Sequence, residues 1–303
     1  MSVQEKYLTS RGVEAAIKDA ARKAYEADPS VSIQERIRQA TFDRFLCRIF
    51  AEGDASEWVL KGGTGMLARV PSSRATRDVD LWHSGFTLEQ ALNDLRRLAR
   101  VDLDDHFRFV YVDHSYTLAG ATQPYTDGYR AVFDTYIGVK KSTSVHVDLT
   151  IGIGLTGVVS VVPPANRLRL PRLATHDYRL YPIVDQIADK VCATMGIYST
   201  GASSREKDLV DLVVIANTQN IDANSLRIAI ASECRRRGLD PFDHFTIPSA
   251  WGPAYAQMAR PIPPCAKHRA IGGAKVLVSQ FLDPILGSRE FSGSWDHVAR
   301  EWR

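Results

Sequence analysis

Residues Lys61 to Leu81 read Lys-Gly-Gly-Thr-Gly-Met-Leu-Ala-Arg-Val-Pro-Ser-Ser-Arg-Ala-Thr-Arg-Asp-Val-Asp-Leu, and this stretch is the most informative part of the sequence. It places a glycine-rich turn about a dozen residues before two aspartates, Asp78 and Asp80. Side chains alternate between the two faces of a strand, so both carboxylates are expected to project to the same side. Such carboxylates repel each other unless a cation lies between them. Hard divalent ions, Mg²⁺ above all, suit oxygen ligands and bring a substrate's phosphates with them.

The glycine-rich turn supplies what phosphates need. Gly62, Gly63 and Gly65 allow backbone N–H groups to approach an anion closely, and Thr64 adds a hydroxyl. The apolar run that starts at Met66 indicates a helix whose N-terminus faces that anion. The stretch therefore predicts a phosphate-binding turn next to a magnesium site.

Hydrophobic periodicity predicts two helices, then a strand-rich middle, then a helical end. The predicted strands are residues 56–61, 77–83, 106–117, 128–139, 144–151 and 158–163. The predicted helices are residues 11–27, 33–52, 87–101, 183–198, 205–218, 223–237, 248–260 and 266–286. We expect two domains, residues 1–175 with the sheet and residues 176–303 with helices.

Composition is that of an ordinary globular protein, with 45% apolar and 24% charged residues. The net charge of +3 is compatible with a polyanionic partner but is too small to indicate one. The 4 cysteines lack Cys-x-x-Cys spacing, which argues against a disulfide framework and zinc. We expect a cytoplasmic protein without a signal peptide or a membrane-spanning segment.

Four motifs resemble the signatures of the AbiEii/AbiGii-type nucleotidyltransferase toxins, which include the mycobacterial MenT toxins. The first two are Gly62-Gly63-Thr64 and Arg74-Ala75-Thr76-Arg77-Asp78-Val79-Asp80-Leu81. The third is a helix with a Lys-x-x-Ala-like core, similar to residues 185–193, and the fourth resembles residues 204–212. The resemblance implies an α+β, polymerase-β-like nucleotidyltransferase fold. This fold has a mixed sheet, N-terminal helices and a C-terminal helical lobe.

The resemblance also implies roles for individual residues. Asp78 and Asp80 would bind Mg²⁺, and the turn from Gly62 through Gly63 to Thr64 would hold the triphosphate of an NTP. Lys190 would neutralise phosphate charge, and Asp211 would position the phosphate or the acceptor. Further phosphate partners would be Lys61 and Arg77. Lys207 lies outside the matched positions and is expected to tolerate replacement by alanine.

A third acid is expected because polymerase-β-like enzymes take one from a neighbouring strand. Asp148 alternates with His146 and Thr150 on one face of the predicted strand 144–151 and is the first candidate for a metal ligand. Asp134, on the preceding strand, is the alternative. A third carboxylate would balance the charge of two metal ions.

Family resemblance further implies an acceptor and a partner. The acceptor would be the 3′ end of tRNA, with pyrimidine nucleotides favoured, and the outcome would be blocked translation. A cognate antitoxin would be encoded beside the toxin. Two alternatives stay open: transfer to a protein or small-molecule hydroxyl, and a non-catalytic nucleotide-binding module.

Two other patterns are typical of structure rather than function. Gly152-Ile153-Gly154-Leu155-Thr156-Gly157 matches a dinucleotide-binding fingerprint, but a β-rich run follows it, which predicts a loop. Arginine clusters could contact an RNA backbone, although a solvated face is the more common outcome. These clusters are Arg96-Arg97, Arg167/Arg169/Arg172 and Arg235-Arg236-Arg237.

Overall fold

The computed structural model describes residues 6–116, 128–152, 154–196, 205–288 and 290–303. Within these ranges the helices are α1 (Ser10–Ala27), α2 (Ile33–Ile49), α3 (Gly62–Arg69), α4 (Leu88–Leu98), α5 (Ile183–Met195), α6 (Glu206–Thr218), α7 (Ala223–Arg237), α8 (Gly252–Ala259) and α9 (Ile271–Gly287). The strands are β1 (Trp58–Lys61), β2 (Val79–Ser84), β3 (Phe107–Tyr116), β4 (Gly128–Ile137), β5 (Lys140–Lys141), β6 (Val145–Gly152), β7 (Ser160–Val162), β8 (Tyr178–Leu180), β9 (Ile221–Asp222), β10 (Ser294–Asp296) and β11 (Glu301–Trp302). The last residue of the predicted strand 106–117, the end of the predicted helix 183–198, Ile153 of the glycine loop and Ser204 of the fourth motif lie outside the described residues.

The main sheet is mixed. Across the described ranges its 8 strands follow the order β3-β4-β6-β2-β1-β8-β7, with β5 paired to β4. The pairs β2–β6 and β1–β8 are parallel, and the others are antiparallel. Helices precede and follow this sheet in the chain, so the predicted α+β class is confirmed.

One face of the sheet packs on a large apolar core, because the strands alternate. The opposite face, the open face, carries exposed side chains such as Arg130 beside a small buried cluster of Val59, Trp82 and Tyr181. Val79 and Leu81 of β2 pack in the same core as apolar residues of β6, α2 and α4. Helix α4 begins with a capping box, in which Thr87 and Gln90 each accept a backbone N–H from the other. Asp80, which lies between Val79 and Leu81, therefore points to the face opposite this core.

Two main apolar clusters fill the protein. The first joins α1, α2, α4 and the sheet, and the second joins α5 to α9. Met66 and Val70, at the end of α3, belong to the second cluster, so α3 packs against the helical part. The two-domain division at residue 175 stays a prediction, and β8 adds residues 178–180 to the sheet beyond that point.

The end of the chain differs from the prediction of helices alone. Strands β9, β10 and β11 form a 3-stranded sheet. Trp295 of β10 is fully buried, and its indole N–H donates to the carbonyl oxygen of Ala216 at 2.8 Å. Strands of two or three residues are too short to show a period-two pattern, which is why the sequence did not predict them.

Two further observations concern the hydrophobicity of the helices and the state of the cysteines. None of the described helices is long and apolar enough to cross a membrane. The cysteines Cys47, Cys192, Cys234 and Cys265 are buried free thiols.

Candidate functional site

Asp78 and Asp80 lie at the start of β2, and α3 holds them in place. Asp78 immediately precedes the strand, and its backbone carbonyl accepts hydrogen bonds from the Thr64 hydroxyl at 2.8 Å and the Thr76 hydroxyl at 3.3 Å. The Thr64 side chain is buried, and its hydroxyl helps to fix the backbone at Asp78. The predicted contact of Thr64 with a phosphate stays a prediction.

Gly62 is packed directly against the Asp80 carboxylate. Its φ is +60°, and a Cβ atom at this position would lie 2.1 Å from Asp80 Oδ2. Lys61, the residue before it, is the register partner of Asp80 in the β1–β2 ladder. Only glycine combines this backbone conformation with such a close approach.

Helix α3 begins at Gly62, four residues earlier than the apolar run at Met66 predicted. The low helix propensity of glycine concealed this first turn in the sequence. The consequence is that Gly62, Gly63 and Thr64 are the first residues of the helix rather than a separate turn. Their backbone N–H groups therefore belong to a helix N-terminus, which favours anions.

The structure places Asp148, rather than Asp134, beside the paired aspartates. Asp148 of β6 is the register partner of Asp80 in the parallel β2–β6 pair. Asp134 instead pairs with Lys141 at 2.6 Å and accepts from the Ser144 hydroxyl at 2.8 Å. Of the two candidates for a third acid, only Asp148 thus adjoins Asp80.

Arg130 of β4 also belongs to this group, although no role was predicted for it from the sequence. Its Nε and Nη2 atoms each donate to one oxygen of Asp148 at 2.7 Å. Nη2 also lies 3.7 Å from Asp78 Oδ2. A positive charge therefore stands between two of the three carboxylates.

The electrostatic environment of Asp80 is unfavourable to its charged form. Burial, followed by the negative charge of Asp148, raises its pKa to about 6. Lys61, Lys207 and Lys190 act on the pKa in the opposite direction without cancelling the effect. A cation bound next to Asp80 would favour the charged form of its carboxyl group.

Lys207 consequently lies near enough to Asp80 to influence its ionisation. This effect favours a role for Lys207 near Asp80, in place of the expected tolerance of alanine, and the role is a prediction. The side chain is exposed, at the start of α6. The position of Lys207 in the fourth motif, one residue before Asp208, was the feature of the sequence that could have indicated a place near Asp80.

The residues fit a hard divalent cation in their chemistry but only partly in their arrangement. Asp78 and Asp80 offer oxygen ligands, and the raised pKa of Asp80 shows that its charge lacks compensation. In the described part of the chain, however, no group of three His, Cys, Asp or Glu side chains is arranged to hold a metal ion. Asp148, the third carboxylate, is instead hydrogen-bonded through both of its oxygens to Arg130.

A second, buried charge cluster joins the helical part to the loop before β2. Lys190 Nζ lies 2.6 Å from Asp211 Oδ2 and 3.2 Å from Asp208 Oδ1. Arg74 Nε and Nη2 donate to the two oxygens of Asp211 at 2.9 and 3.0 Å. Lys190, Asp208 and Asp211 are all buried. Arg74 was not among the predicted site residues, although its place at the opening of the second motif was a signal.

The pKa values in this cluster reflect pairing. Burial raises the pKa of Asp211, but Lys190 and Arg74 outweigh this effect, so the pKa is lowered overall. Burial lowers the pKa of Lys190, but Asp211 and Asp208 outweigh it, so the pKa is raised. Lys190, Arg74 and Asp211 are therefore charged, and the cluster fixes α5 and α6 to the loop that carries Asp78.

Two more residues position this part of the chain. Gln186 Nε2 donates to the backbone oxygen of Gly62 at 3.0 Å. The Asp185 carboxylate accepts from the N–H groups of Thr156 and Gly157, which holds the glycine-rich loop against the start of α5. That loop leads into β7, as predicted, and not into a helix.

The remaining predicted residues lie nearer the surface. Arg77 is exposed, and Lys61 Nζ lies 5.7 Å from the centre of the Tyr181 ring. The arginine clusters are largely paired: Arg236 and Arg237 contact Glu233, and Arg167 contacts Asp43. These clusters therefore favour a structural interpretation over an RNA contact.

Replacing Gly62 by alanine is expected to abolish the nucleotidyl transfer that the resemblance implies, because the new methyl group displaces the Asp80 carboxylate. Gly238→Ala is the matched control, since Gly238 has φ of +61° and a Cβ atom there would have nothing within 4 Å. Both variants should lose about 1 kcal/mol of stability from the left-handed backbone. Transfer of labelled nucleotide, measured alongside unfolding, should separate the two. An active Gly62→Ala variant would contradict this placement of Asp80.

Comparison with known proteins identifies the family of the chain. The family model for "Nucleotidyl transferase AbiEii toxin, Type IV TA system" matches residues 44–274. The matched range contains both charge clusters described above. No curated protein sequence matches the chain.

A solved structure shows the same fold. The protein is similar to MenT4, the nucleotidyltransferase toxin Rv2826c from Mycobacterium tuberculosis H37Rv, with a TM-score of 0.55, 15% identity and 90% of each chain covered. It is also matched to JHP933 from Helicobacter pylori, with a TM-score of 0.40, 14% identity, and 89% and 88% of the two chains covered. The likeness to MenT4 concerns the fold, whereas the family match extends over more than half of the sequence. The chain belongs to the AbiEii family of nucleotidyl transferase toxins of type IV toxin–antitoxin systems.

Proposed function

We propose that this nucleotidyltransferase uses Mg²⁺ to move a nucleoside monophosphate from an NTP to the 3′ end of tRNA, with pyrimidine nucleotides favoured. The observation that carries the proposal is the convergence of Asp78 and Asp80 with the first turn of α3, where Gly62 touches the Asp80 carboxylate. Carboxylates beside a helix N-terminus are suited to a metal-bound triphosphate. The added nucleotide would block aminoacylation of the tRNA, and thereby translation.

Asp78 and Asp80 would hold Mg²⁺, with Asp148 as the proposed third acid. When bound, Mg²⁺ would neutralise phosphate charge and help to activate the attacking hydroxyl. The N–H groups of Gly62 and Gly63 would bind the triphosphate. Lys61, Arg77 and Lys207 add positive charge around it, and the last of these enters the proposal because of its effect on Asp80.

Lys190 and Asp211 have a different place in this proposal. Their side chains contact each other within the buried cluster, so Lys190 acts on the site mainly through Arg74 and the loop before Asp78. Arg74 and Lys190 both lie within electrostatic range of Asp80. A direct contact of Lys190 with phosphate, as the resemblance implies, remains part of the proposal to be tested.

The acceptor is proposed from the family resemblance and from the open face of the sheet. Arg108 and Arg130 lie exposed on this face, and the Arg108 guanidinium lies 4.5 Å from the centre of the Tyr136 ring. Aromatic and arginine side chains of this kind stack with unpaired bases. A cognate antitoxin and a cytoplasmic location follow from membership in a toxin–antitoxin family and from the tRNA substrate.

Incubation of the purified protein with each labelled NTP and total RNA tests this proposal. We expect label on tRNA in the presence of Mg²⁺, most strongly from CTP or UTP, and no label in EDTA. If exposed basic side chains make three contacts to the tRNA backbone, the affinity for tRNA should fall roughly 20- to 40-fold between 50 and 200 mM salt. A small-molecule acceptor would show little salt dependence. Label found on protein or on a small molecule instead would support those alternatives and contradict the tRNA assignment.

A further inference from the structure

Arg130 lies where its charge competes with a metal ion for Asp148. It is the register partner of Asp148 in the β4–β6 pair, and Asp148 is the register partner of Asp80 in the β2–β6 pair. The guanidinium binds both oxygens of Asp148 at 2.7 Å and approaches Asp78 to 3.7 Å. The guanidinium is therefore inside the group of three carboxylates.

This pairing determines which carboxylates a cation can use. A bidentate arginine–carboxylate pair is among the strongest side-chain contacts and occupies both oxygens of the acid. Asp78 and Asp80 stay free of such a partner among the described contacts, and Asp80 carries a charge that burial opposes. A divalent ion would therefore meet two available ligands, while Asp148 is occupied.

The pairing is nevertheless easy to break. The Arg130 side chain is 45% exposed, so its guanidinium can be reached from solvent. It projects from the open face of the sheet, the same face to which Asp80 points. A phosphate group accepts the same two-pronged hydrogen bonds from arginine as a carboxylate and carries more charge.

We propose that Arg130 keeps Asp148 away from the metal site until a phosphate group of the bound nucleotide draws its guanidinium away. Nucleotide binding then frees Asp148 to join Asp78 and Asp80, so the complete acidic site forms only with substrate present. Arg130 is a positioning residue in this scheme, and the inference rests on the metal site of the proposed function. Coupling of this kind is reciprocal, so metal should also tighten nucleotide binding through Arg130.

Binding of Mn²⁺ to the nucleotide-free protein, followed by electron paramagnetic resonance, tests the proposal. Mn²⁺ accepts the same oxygen ligands as Mg²⁺. With Arg130 retained and no nucleotide bound, Asp148→Asn should leave the Mn²⁺ affinity unchanged within about twofold, because Arg130 already occupies Asp148. Arg130→Met should raise the affinity about tenfold or more, and the gain should disappear in the double variant Arg130→Met/Asp148→Asn. Arg130→Lys retains the cation and should stay close to wild type.

The same four variants with an α,β-methylene analogue of CTP complete the test. Asp148→Asn should now weaken Mn²⁺ binding in the wild-type background, because the analogue's phosphates engage Arg130. Circular dichroism confirms that each variant is folded. A large loss of Mn²⁺ affinity from Asp148→Asn without nucleotide would overturn the role of Arg130 but not the metal site. No change in Mn²⁺ affinity from Arg130→Met would do the same. Absence of Mn²⁺ binding from every variant would contradict the metal site, and this role with it.

Discussion

Asp80→Asn is expected to abolish nucleotidyl transfer and, at the same time, to make the metal-free protein more resistant to heat. Loss of a metal ligand removes several kcal/mol of transition-state stabilisation, which corresponds to roughly a 1,000-fold lower rate or less activity still. The gain in stability has a separate cause. Burial and the charge of Asp148 oppose ionisation of Asp80, and asparagine is neutral.

The gain in stability should depend on pH in a defined direction. The pKa of Asp80 in the folded protein is about 6, above its ordinary value of 3.8, so the charged form costs stability at pH values above 6. Between pH 6 and pH 4 the carboxyl becomes protonated in the folded protein, and the cost disappears. Asp80→Asn should therefore raise Tm by about 2 °C or more at pH 7.5 in EDTA, and by much less at pH 4.

Asp134→Asn is the control for this measurement. Asp134 is hydrogen-bonded to Lys141 and Ser144, which lower its pKa, so neutralising it should give no gain in Tm and little loss of transfer. Equal gains in Tm for Asp80→Asn at both pH values would contradict the electrostatic account. Full transfer by Asp80→Asn would contradict the metal assignment.

Lys190→Ala is expected to cause the largest loss of stability. The substitution leaves Asp208 and Asp211 buried with Arg74 as the main remaining cation. Removal of one partner from a buried ion pair costs about 3–5 kcal/mol, because the other partner keeps its charge without compensation. Transfer should fall as well, since the loop before Asp78 is tied to this cluster through Arg74.

Denaturant unfolding of Lys190→Ala and of Lys275→Ala distinguishes this structural role from a direct one. Lys275 is exposed on α9 and should change the free energy of unfolding by less than about 0.5 kcal/mol. A Lys190→Ala protein with wild-type stability and no activity would contradict the buried-cluster account and support direct phosphate binding instead. Lys207→Ala should reduce transfer without loss of stability, because Lys207 is exposed yet acts on Asp80.

Local sequence was enough to predict the parts of the site that lie close together in the chain. The aspartate pair, the glycines and the helix after them follow from spacing and alternation within 21 residues, from Lys61 to Leu81. Asp148 also followed from alternation in its strand, and the parallel register with β2 confirmed that it adjoins Asp80. The α+β class followed from the order of periodic segments.

The interactions between distant segments could not be predicted from local pattern. Arg74 and Asp211 are 137 residues apart, and only the packing of α6 against the loop before β2 brings them together. Arg130 meets Asp148 through an antiparallel register that no single strand reveals. The short strands at the end of the chain are held by the burial of Trp295 and not by strand propensity.

The mass of tRNA after incubation with the protein, NTPs and Mg²⁺ tests the proposed transfer to the 3′ end of tRNA. We expect intact tRNA to gain the mass of one or a few nucleoside monophosphates and tRNA with a periodate-oxidised 3′ end to gain none. Asp80→Asn should leave both masses unchanged. Unchanged tRNA mass with the active wild-type protein, while labelled nucleotide accumulates on a protein or a small molecule, would contradict the proposed transfer.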